Sequence, residues 1–398
     1  MSRRFLFTIL TLLVIISGAL LAVFFAKGYR LSTETGTITG TGIISVVSEP
    51  DRASVYLDGH LTTATNDNIN SLIPKKYKVT IEKEGYISWE KEVEVREGLV
   101  KEIEASLFRS IPTVYPITYN GVAKALLSPD SQKFVYVVPN GDDPASVSAS
   151  KRSGVWLLPM TSGGINLGRG NEPRQIALSG NYDFSEAEFR WSPDSQQVLV
   201  SFPDRYLLLE ADRLNDPPRD VTAQIEPTVR SWDESEKESN LARLQLIADN
   251  SIRNTASASA ILKWAPDETK VLYQKDEKTD YQVADLTTNE TFTLPKASSY
   301  HWLPDSEHLI MVEFEEQKVT DVTKDPKVTN EEEIKENSLL STRVSIIETD
   351  GTNKSEMFYG ALDPEFVVPW PDSSRLVVIY SLPTATASKP NLYGINLK

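Results

Sequence analysis

Cysteine is absent from the 398 residues and histidine occurs only three times. No disulfide framework, thiolate metal site or cysteine nucleophile can therefore be built, and a histidine-rich metal centre has too few ligands. The chain also lacks a G-x-S-x-G elbow, an H-E-x-x-H pair and a G-x-x-x-x-G-K-[ST] loop, so the common hydrolase, metalloprotease and nucleotide-binding equipment is missing. Positive charge is short as well: 41 Lys and Arg face 56 Asp and Glu, for a net charge of −15. Residues 1–30 carry Arg3, Arg4, Lys27 and Arg30 and no acid, which concentrates the negative charge in the remainder. A body this acidic repels phosphate backbones, and nucleic acid is not expected as a partner. The apolar fraction of 40% suffices for packed cores and argues against global disorder. The length suits two or three domains.

From Phe5 to Ala26 no residue is charged. At about 1.5 Å per residue such a helix would cross a hydrocarbon core of about 30 Å, so a membrane is expected as a partner of residues 5–26. The run exceeds the apolar core of a cleaved signal peptide and ends without a small-residue cleavage triplet, which favours an uncleaved anchor over residues 1–30. A single-pass protein is expected, with its N-terminus cytoplasmic and its C-terminal domains extracytoplasmic. Gly18, Ala22 and Ala26 have the spacing of a close-packing helix face, but chance explains this in an Ala/Gly-containing run.

Residues 31–42, LSTETGTITGTG, read as a flexible linker. Alternation follows. Ile44 and Val46, Val55 and Leu57, Val79 and Ile81, Val93 and Val95, and Ile103, Ala105 and Leu107 mark short strands, and Asp58-Gly59 is a hairpin signal. The pattern predicts a small antiparallel β-sandwich over 43–108. SEPDRASVYLDGH followed by YKVTIEKEGYISWEKEVEV resembles the PEGA domain: the P-x-x-A turn is Pro50 to Ala53, the V-Y-L-D-G strand and turn Val55 to Gly59, and the Y-x-V strand with its G-Y Tyr77 to Tyr86. The Thr-Pro pair that usually follows the D-G turn is replaced by TTATNDNINS, and the Gly before the Tyr-x-Val strand by Lys75-Lys76, which puts those loop shapes in question. The resemblance implies an adhesive or spacer module of bacterial and archaeal envelope proteins, without catalytic residues. Tyr86 and Trp89 are candidate binding aromatics, but packing across a small sandwich accounts for them better.

Beyond residue 110 the chain repeats one phrase: an apolar strand, usually ending in Trp, then x-P-D-S, then a second apolar strand. It reads LLSPDSQKFVYVV from Leu126, FRWSPDSQQVLVSF from Phe189, LKWAPDETKVLYQ from Leu262, YHWLPDSEHLIMVE from Tyr300 and VPWPDSSRLVVIY from Val368. Pro fixes φ and Asp hydrogen-bonds the backbone ahead, so each phrase is a hairpin about a tight turn. The closest motif prolines, Pro266 and Pro304, are about one four-stranded blade apart. The phrase resembles the WD40-like repeat of TolB-type β-propellers, which implies a propeller over 109–398. Five copies predict five blades, or six if one blade lacks the phrase. The last sheet is one strand short, and TVYPITY at Thr113 to Tyr119 can complete it. In the last copy Trp370 directly precedes Pro371, one residue closer than in the others.

The insertions differ in kind. Leu241, Leu244 and Ile247 or Ala248 predict one amphipathic helix over 232–253, packed on the rim or one end. Residues 313–337 are charge-rich and read as an excursion, and 139–153 as a polar loop. Trp191, Trp264, Trp302 and Trp370 could line a ligand surface, but their fixed slot favours packing between blades. Asp130, Asp194, Asp267, Asp305 and Asp372 could ligate metal, but their place after Pro favours turn capping. His301 and His308 flank the fourth turn without a nucleophile context. GGINLGRG from Gly163 lacks the Lys of a phosphate loop. Asp142-Asp143 and TNDNIN from Thr65 offer oxygen ligands without calcium-loop spacing. The expected fold is all-β behind an N-terminal helix. No metal, cofactor or catalytic residue is expected. Enzymes capped by such propellers carry a hydrolase domain for which no segment stands here. The expected function is non-catalytic binding or scaffolding of envelope proteins or glycans, with capture of a small molecule or peptide in the propeller channel as the alternative and a hydrolase with an unrecognised active site as a further one.

Overall fold

The computed structural model describes residues 3–26, 29–31, 38–140, 152–161, 172–276, 278–316, 340–381 and 389–398. They form two compact units, Met1–Ile111 with Lys398, and Pro112–Leu397.

The N-terminal helix α1 covers Arg3–Ala26. Among the described residues no helix is long and apolar enough to cross a membrane. The expected single-pass anchor, and the sidedness inferred from it, are corrected accordingly.

The first unit holds β1 (Gly42–Glu49), β2 (Ser54–Leu57), β3 (His60–Ala64), β4 (Asp67–Leu72), β5 (Lys76–Glu82), β6 (Trp89–Glu94) and β7 (Val100–Ser106). They make two sheets, ordered β4-β1-β7 and β3-β2-β5-β6. Every apolar residue that the alternation assigned to the interior is buried. Asp58 and Gly59 both take positive φ, as a two-residue hairpin turn requires, and the Asp58 carboxylate accepts from Lys75 Nζ and the Lys78 N–H. The sandwich is not wholly antiparallel: β1 and β7 pair in parallel, Ile43 opposite Val100 through Glu49 opposite Ser106. Strand β7 returns from the other sheet, so it meets β1 running the same way. Strands β3 and β4 escape the apolar pattern because they are polar and largely exposed.

The second unit opens with β8 (Val114–Pro116). The first blade follows as β9 (Lys124–Leu127), β10 (Lys133–Val138), β11 (Gly154–Pro159) and β12 (Arg174–Leu178). The second is β13 (Glu188–Trp191), β14 (Gln197–Ser201), β15 (Tyr206–Glu210) and β16 (Arg219–Asp220). Two helices, α2 (Ile225–Leu246) and α3 (Asn250–Ser257), precede the third blade. That blade is β17 (Ile261–Trp264), β18 (Lys270–Gln274), β19 (Gln282–Asp285) and β20 (Glu290–Thr293). The fourth is β21 (Ser299–Trp302), β22 (His308–Glu316), β23 (Leu340–Glu348) and β24 (Ser355–Gly360). The fifth is β25 (Leu362–Pro369), β26 (Arg375–Tyr380) and β27 (Asn391–Asn396). Strand β8 pairs antiparallel with β27 and completes this last sheet. Among the described residues this unit is five four-stranded antiparallel sheets in a propeller-like order, the last completed by the unit's first strand.

The repeated turn has one geometry throughout. Each motif Asp accepts from the N–H two residues on: Asp130 from Gln132, Asp194 from Gln196, Asp267 from Thr269, Asp305 from Glu307 and Asp372 from Ser374, at 2.9–3.0 Å. The residue between them always has positive φ, although none is glycine: Ser131, Ser195, Glu268, Ser306 and Ser373 lie at 55–60°. The cap compensates for that backbone conformation.

Three seams between blades are continuous apolar cores. Val135, Val155 and Leu157 meet Trp191, Val198 and Val200 between the first and second blades. Leu272 and Val283 meet Tyr300, Trp302 and Met311 between the third and fourth. Phe134, Tyr136 and Leu158 meet Phe366, Val377 and Ile379 between the first and fifth. The fourth and fifth are joined by Thr342 Oγ1 donating to Leu362 O at 2.8 Å and by the edge-to-face rings of Phe358 and Tyr380. At two seams a hydrogen-bonded clasp recurs. Trp191 Nε1 donates to Leu126 O and Trp302 Nε1 to Lys263 O, each on the preceding blade. In return the Asp130 and Asp267 N–H groups donate to Ser195 and Ser306 Oγ on the following blade. Trp370, one residue out of step, sits on the opposite face and donates to Thr161 O of the first blade.

The remaining seam is different. The single amphipathic helix expected over 232–253 is two helices, because Asp249 accepts from the Ser251 and Ile252 N–H groups and starts a new one. They lie between blades rather than on a rim. Ile225, Val229 and Trp232 of α2 cover Leu199 and Leu208 of the second blade. Leu244, Ile247, Ile252 and Ala256 cover Val271, Tyr273 and Trp264 of the third. The indole N–H of Trp264 is buried and has no hydrogen-bond partner among the described residues.

A buried hydrogen bond contributes about 1 kcal/mol net, whereas an orphaned buried donor carries an uncompensated desolvation cost of about 1–3 kcal/mol. Trp191→Phe and Trp302→Phe should therefore each cost about 1 kcal/mol beyond lost packing, and Trp264→Phe clearly less. Urea unfolding of the three variants checks the ranking; equal losses would refute it.

Candidate functional site

The inner strands of the first, second and fifth blades surround a recess of about 420 Å³. Lys124 and Glu188 begin their strands, and Asp363 and Glu365 lie near the start of β25. The P-D-S turns follow the other ends of these strands, so the recess lies at the end away from the turns. The connection through α2 and α3 also leads into the starting end of an inner strand. A register shift between Leu362 and Val367 takes the intervening residues out of the ladder, and Asp363, Glu365 and Phe366 among them line the recess. Within it Asp363 Oδ1 accepts from the Glu365 N–H at 2.9 Å. Lys124 Nζ donates to Ala187 O at 2.8 Å, which ties the one cation of the lining to the second blade's approach. Phe189 and Phe366 add apolar wall to the lining. Such a mixture can hold an apolar group carrying a polar or cationic end.

Two bases occupy the inner strands of the third and fourth blades. Burial pushes His301 down to about 3, and the Lys263 ammonium adds to the effect. Burial also lowers Lys263, whose Nζ donates to Tyr300 O at 2.7 Å. The Ser299 hydroxyl lies 3.3 Å from His301 Nε2. His308 is elsewhere: its Nδ1 lies 2.9 Å from Asp305 Oδ2, inside the fourth turn. Burial works to raise the Asp305 carboxyl, but hydrogen bonds from His308 and two backbone N–H groups hold it below the ordinary range. The serine and the aspartate thus belong to different histidines, and no Ser-His-Asp relay is assembled from them.

The motif tryptophans pack between blades or against the helices, and the motif aspartates cap turns and are spread over five sheets. Among the described residues no group of three or more His, Cys, Asp or Glu could hold a metal ion. Trp89 is buried in the sandwich core, with Tyr86 packed against it. In TNDNIN, Asp67 accepts from Thr63 Oγ1 and the Asn68 N–H, and Thr65 is buried with its hydroxyl bound to Ser48. Asp142-Asp143 and most of the polar loop 139–153, GGINLGRG, and most of the excursion 313–337 lie outside the described residues. Leu126, Val135, Val137 and Phe189 lie within the repeated phrase, but the charged recess residues Lys124, Glu188, Asp363 and Glu365 fall outside it and escaped the sequence reading. Only the Pro364 bulge within an inner strand could have flagged them.

Residues 41–110 match the family model described as PEGA domain. No curated protein matches the chain. Among solved structures, the Pyrococcus horikoshii acylaminoacyl peptidase is similar at 13% identity over 53% of this chain and 29% of that one, with a TM-score of 0.26. TolB from Acinetobacter baumannii is similar at 12% over 81% of this chain and 60% of that one, with a TM-score of 0.24. The β-propeller domain of the Trilobed protease from Pyrococcus furiosus is similar at 13% over 71% and 72%, with a TM-score of 0.24. The chain thus spans less than a third of the peptidase. At these scores the propeller-like architecture rests on the strand pairing itself.

His301 generates a pH prediction. Its folded value lies below the unfolded value of about 6.5, so the unfolded chain binds the extra proton first. Stability should therefore be intact above about pH 6.5 and fall with acidification toward the folded value, by at most about 1.4 kcal/mol per pH unit from this group. His301→Gln should flatten that part of a stability-versus-pH curve measured by urea unfolding. An unchanged slope would show that His301 is accessible to protons in the fold.

Proposed function

We propose that the chain is a non-catalytic binding scaffold of the cell envelope, presenting its propeller-like unit to protein or glycan partners. The observation that carries this reading is the recess at the starting end of the inner strands. Its walls come from three blades, so its carboxylates and phenylalanines are held on a rigid frame with little ordering cost on binding. The PEGA match supports it, since that module is associated with spacing and adhesion in envelope proteins. A partner would seat a protruding side chain in the recess and spread over the surrounding end.

A second reading, capture of a small molecule or peptide, is favoured by the recess volume, which lies within the range of small-ligand sites. The two separate experimentally. Crosslinking of the full chain in its native setting, followed by mass spectrometry, should recover recurrent envelope proteins joined to residues around the recess. Glu188→Lys with Glu365→Lys should lower that recovery about tenfold, the equivalent of about 1.4 kcal/mol. Crosslinks confined to the opposite end, or recovery unaffected by charge reversal, would overturn the assignment of this face. A ligand-dependent rise in melting temperature without a protein partner would select the second reading.

A further inference from the structure

The seam between the second and third blades lacks every feature that unites the two clasped seams. In each of those, one apolar core runs across both sheets, a Trp indole donates to the preceding blade, and a buried Ser hydroxyl accepts an Asp N–H. Here the core is split in two, one part between the second blade and α2, the other between the third blade and the α2–α3 elbow. Trp264 keeps its motif position but not its bond. The serine of the clasp is Glu268, which pairs with Arg243 of α2 at 2.9 Å. On the other side Arg190 reaches Asp233 at 2.6 Å and Glu236 at 3.5 Å, its guanidinium over the Trp232 ring. These ion pairs are partly solvent-exposed, so salt screens them.

We infer that the ring opens at this seam, with the α2–α3 insert as its latch. Two half-cores held by screened charges part at lower cost than one continuous core held by buried hydrogen bonds. The insert enters at the end that carries the recess, so opening would widen access to the inner strands from that end.

The absence of cysteine makes the test direct, because one introduced thiol reports alone. Val271 and Leu272 are neighbours on β18, both fully buried, but Val271 faces the insert and Leu272 faces the fourth blade. Leu199 and Val200 on β14 form the same contrast, Leu199 against α2 and Val200 against the first blade. Each residue is changed singly to Cys in the full chain, folding is checked by circular dichroism, and thiol labelling is timed under native conditions. Val271→Cys should label about tenfold or more faster than Leu272→Cys, and Leu199→Cys faster than Val200→Cys. Adding Glu268→Gln, or raising salt to about 1 M, should accelerate Val271→Cys and leave Leu272→Cys unchanged. Equal rates within either pair, or acceleration of both faces together, would overturn the inference and indicate that all seams open as one. The two pairs lie on different blades, so a folding failure in one leaves the other decisive.

Discussion

The pairing of β8 with β27 is the contact on which the second unit depends. Without β8 the fifth sheet would have three strands, β27 would keep an unpaired edge, and nothing would tie the start of the unit to its last blade. Val114 opposite Ile395 and Tyr115 opposite Gly394 close that gap. Gly394 leaves room for the Tyr115 ring: a Cβ there would lie 2.4 Å from it, so any other residue would require the ring to move. The Tyr115 hydroxyl then accepts from Arg375 Nη1 at 2.8 Å, across 260 residues of sequence. Asn391 adds a second tie, its side-chain oxygen accepting from the Gly121 N–H at 3.0 Å. Closure of this kind is non-local, so it comes at the entropic cost of ordering nearly the whole unit.

Within the closed ring, the parity of one residue decides which seam a tryptophan serves. Trp191 and Trp302 stand two residues before their prolines and face the preceding blade. Trp370 stands one residue before and faces the next. A strand alternates its side chains with period two; in the fifth copy Pro369 pairs with Leu376 as Trp191 pairs with Val198, so the tryptophan stands one position later and on the other face. The fifth blade therefore helps to seal the ring against the first.

Much of this was legible because it is local and periodic. The x-P-D-S turns, the alternation of the sandwich, the completing strand before the first copy and the structural roles of the motif Trp and Asp all follow from residue spacing. The placement of α2 and α3 did not, since amphipathicity says that a helix has a covered face but not what covers it. Trp232 at one end and Leu244 at the other cover different sheets, and a single helical pattern hides that division. The parallel pairing of β1 and β7 was equally hidden, because strand direction is set by the path through both sheets. The N-terminal helix marks the converse case: the uncharged run suggests a span, but among the described residues no helix is long and apolar enough to cross a membrane. The charged residues of the recess lie outside the repeated phrase: Lys124, Glu188 and Glu365 meet only because three separate strands begin at one end.

The third copy of the repeat shows how one substitution and one insertion depend on each other. Where the clasp places Ser195 and Ser306, both almost fully buried, the third blade has Glu268. A carboxylate in that slot against a neighbouring sheet would be desolvated without compensation. With α2 alongside, it has Arg243 and access to water. The insert in turn needs a sheet face free of a neighbour, which the missing clasp provides. Neither change is stable alone in a closed ring of directly packed blades. Together they replace one blade contact by a helical pair without breaking the circle that β8 and β27 complete.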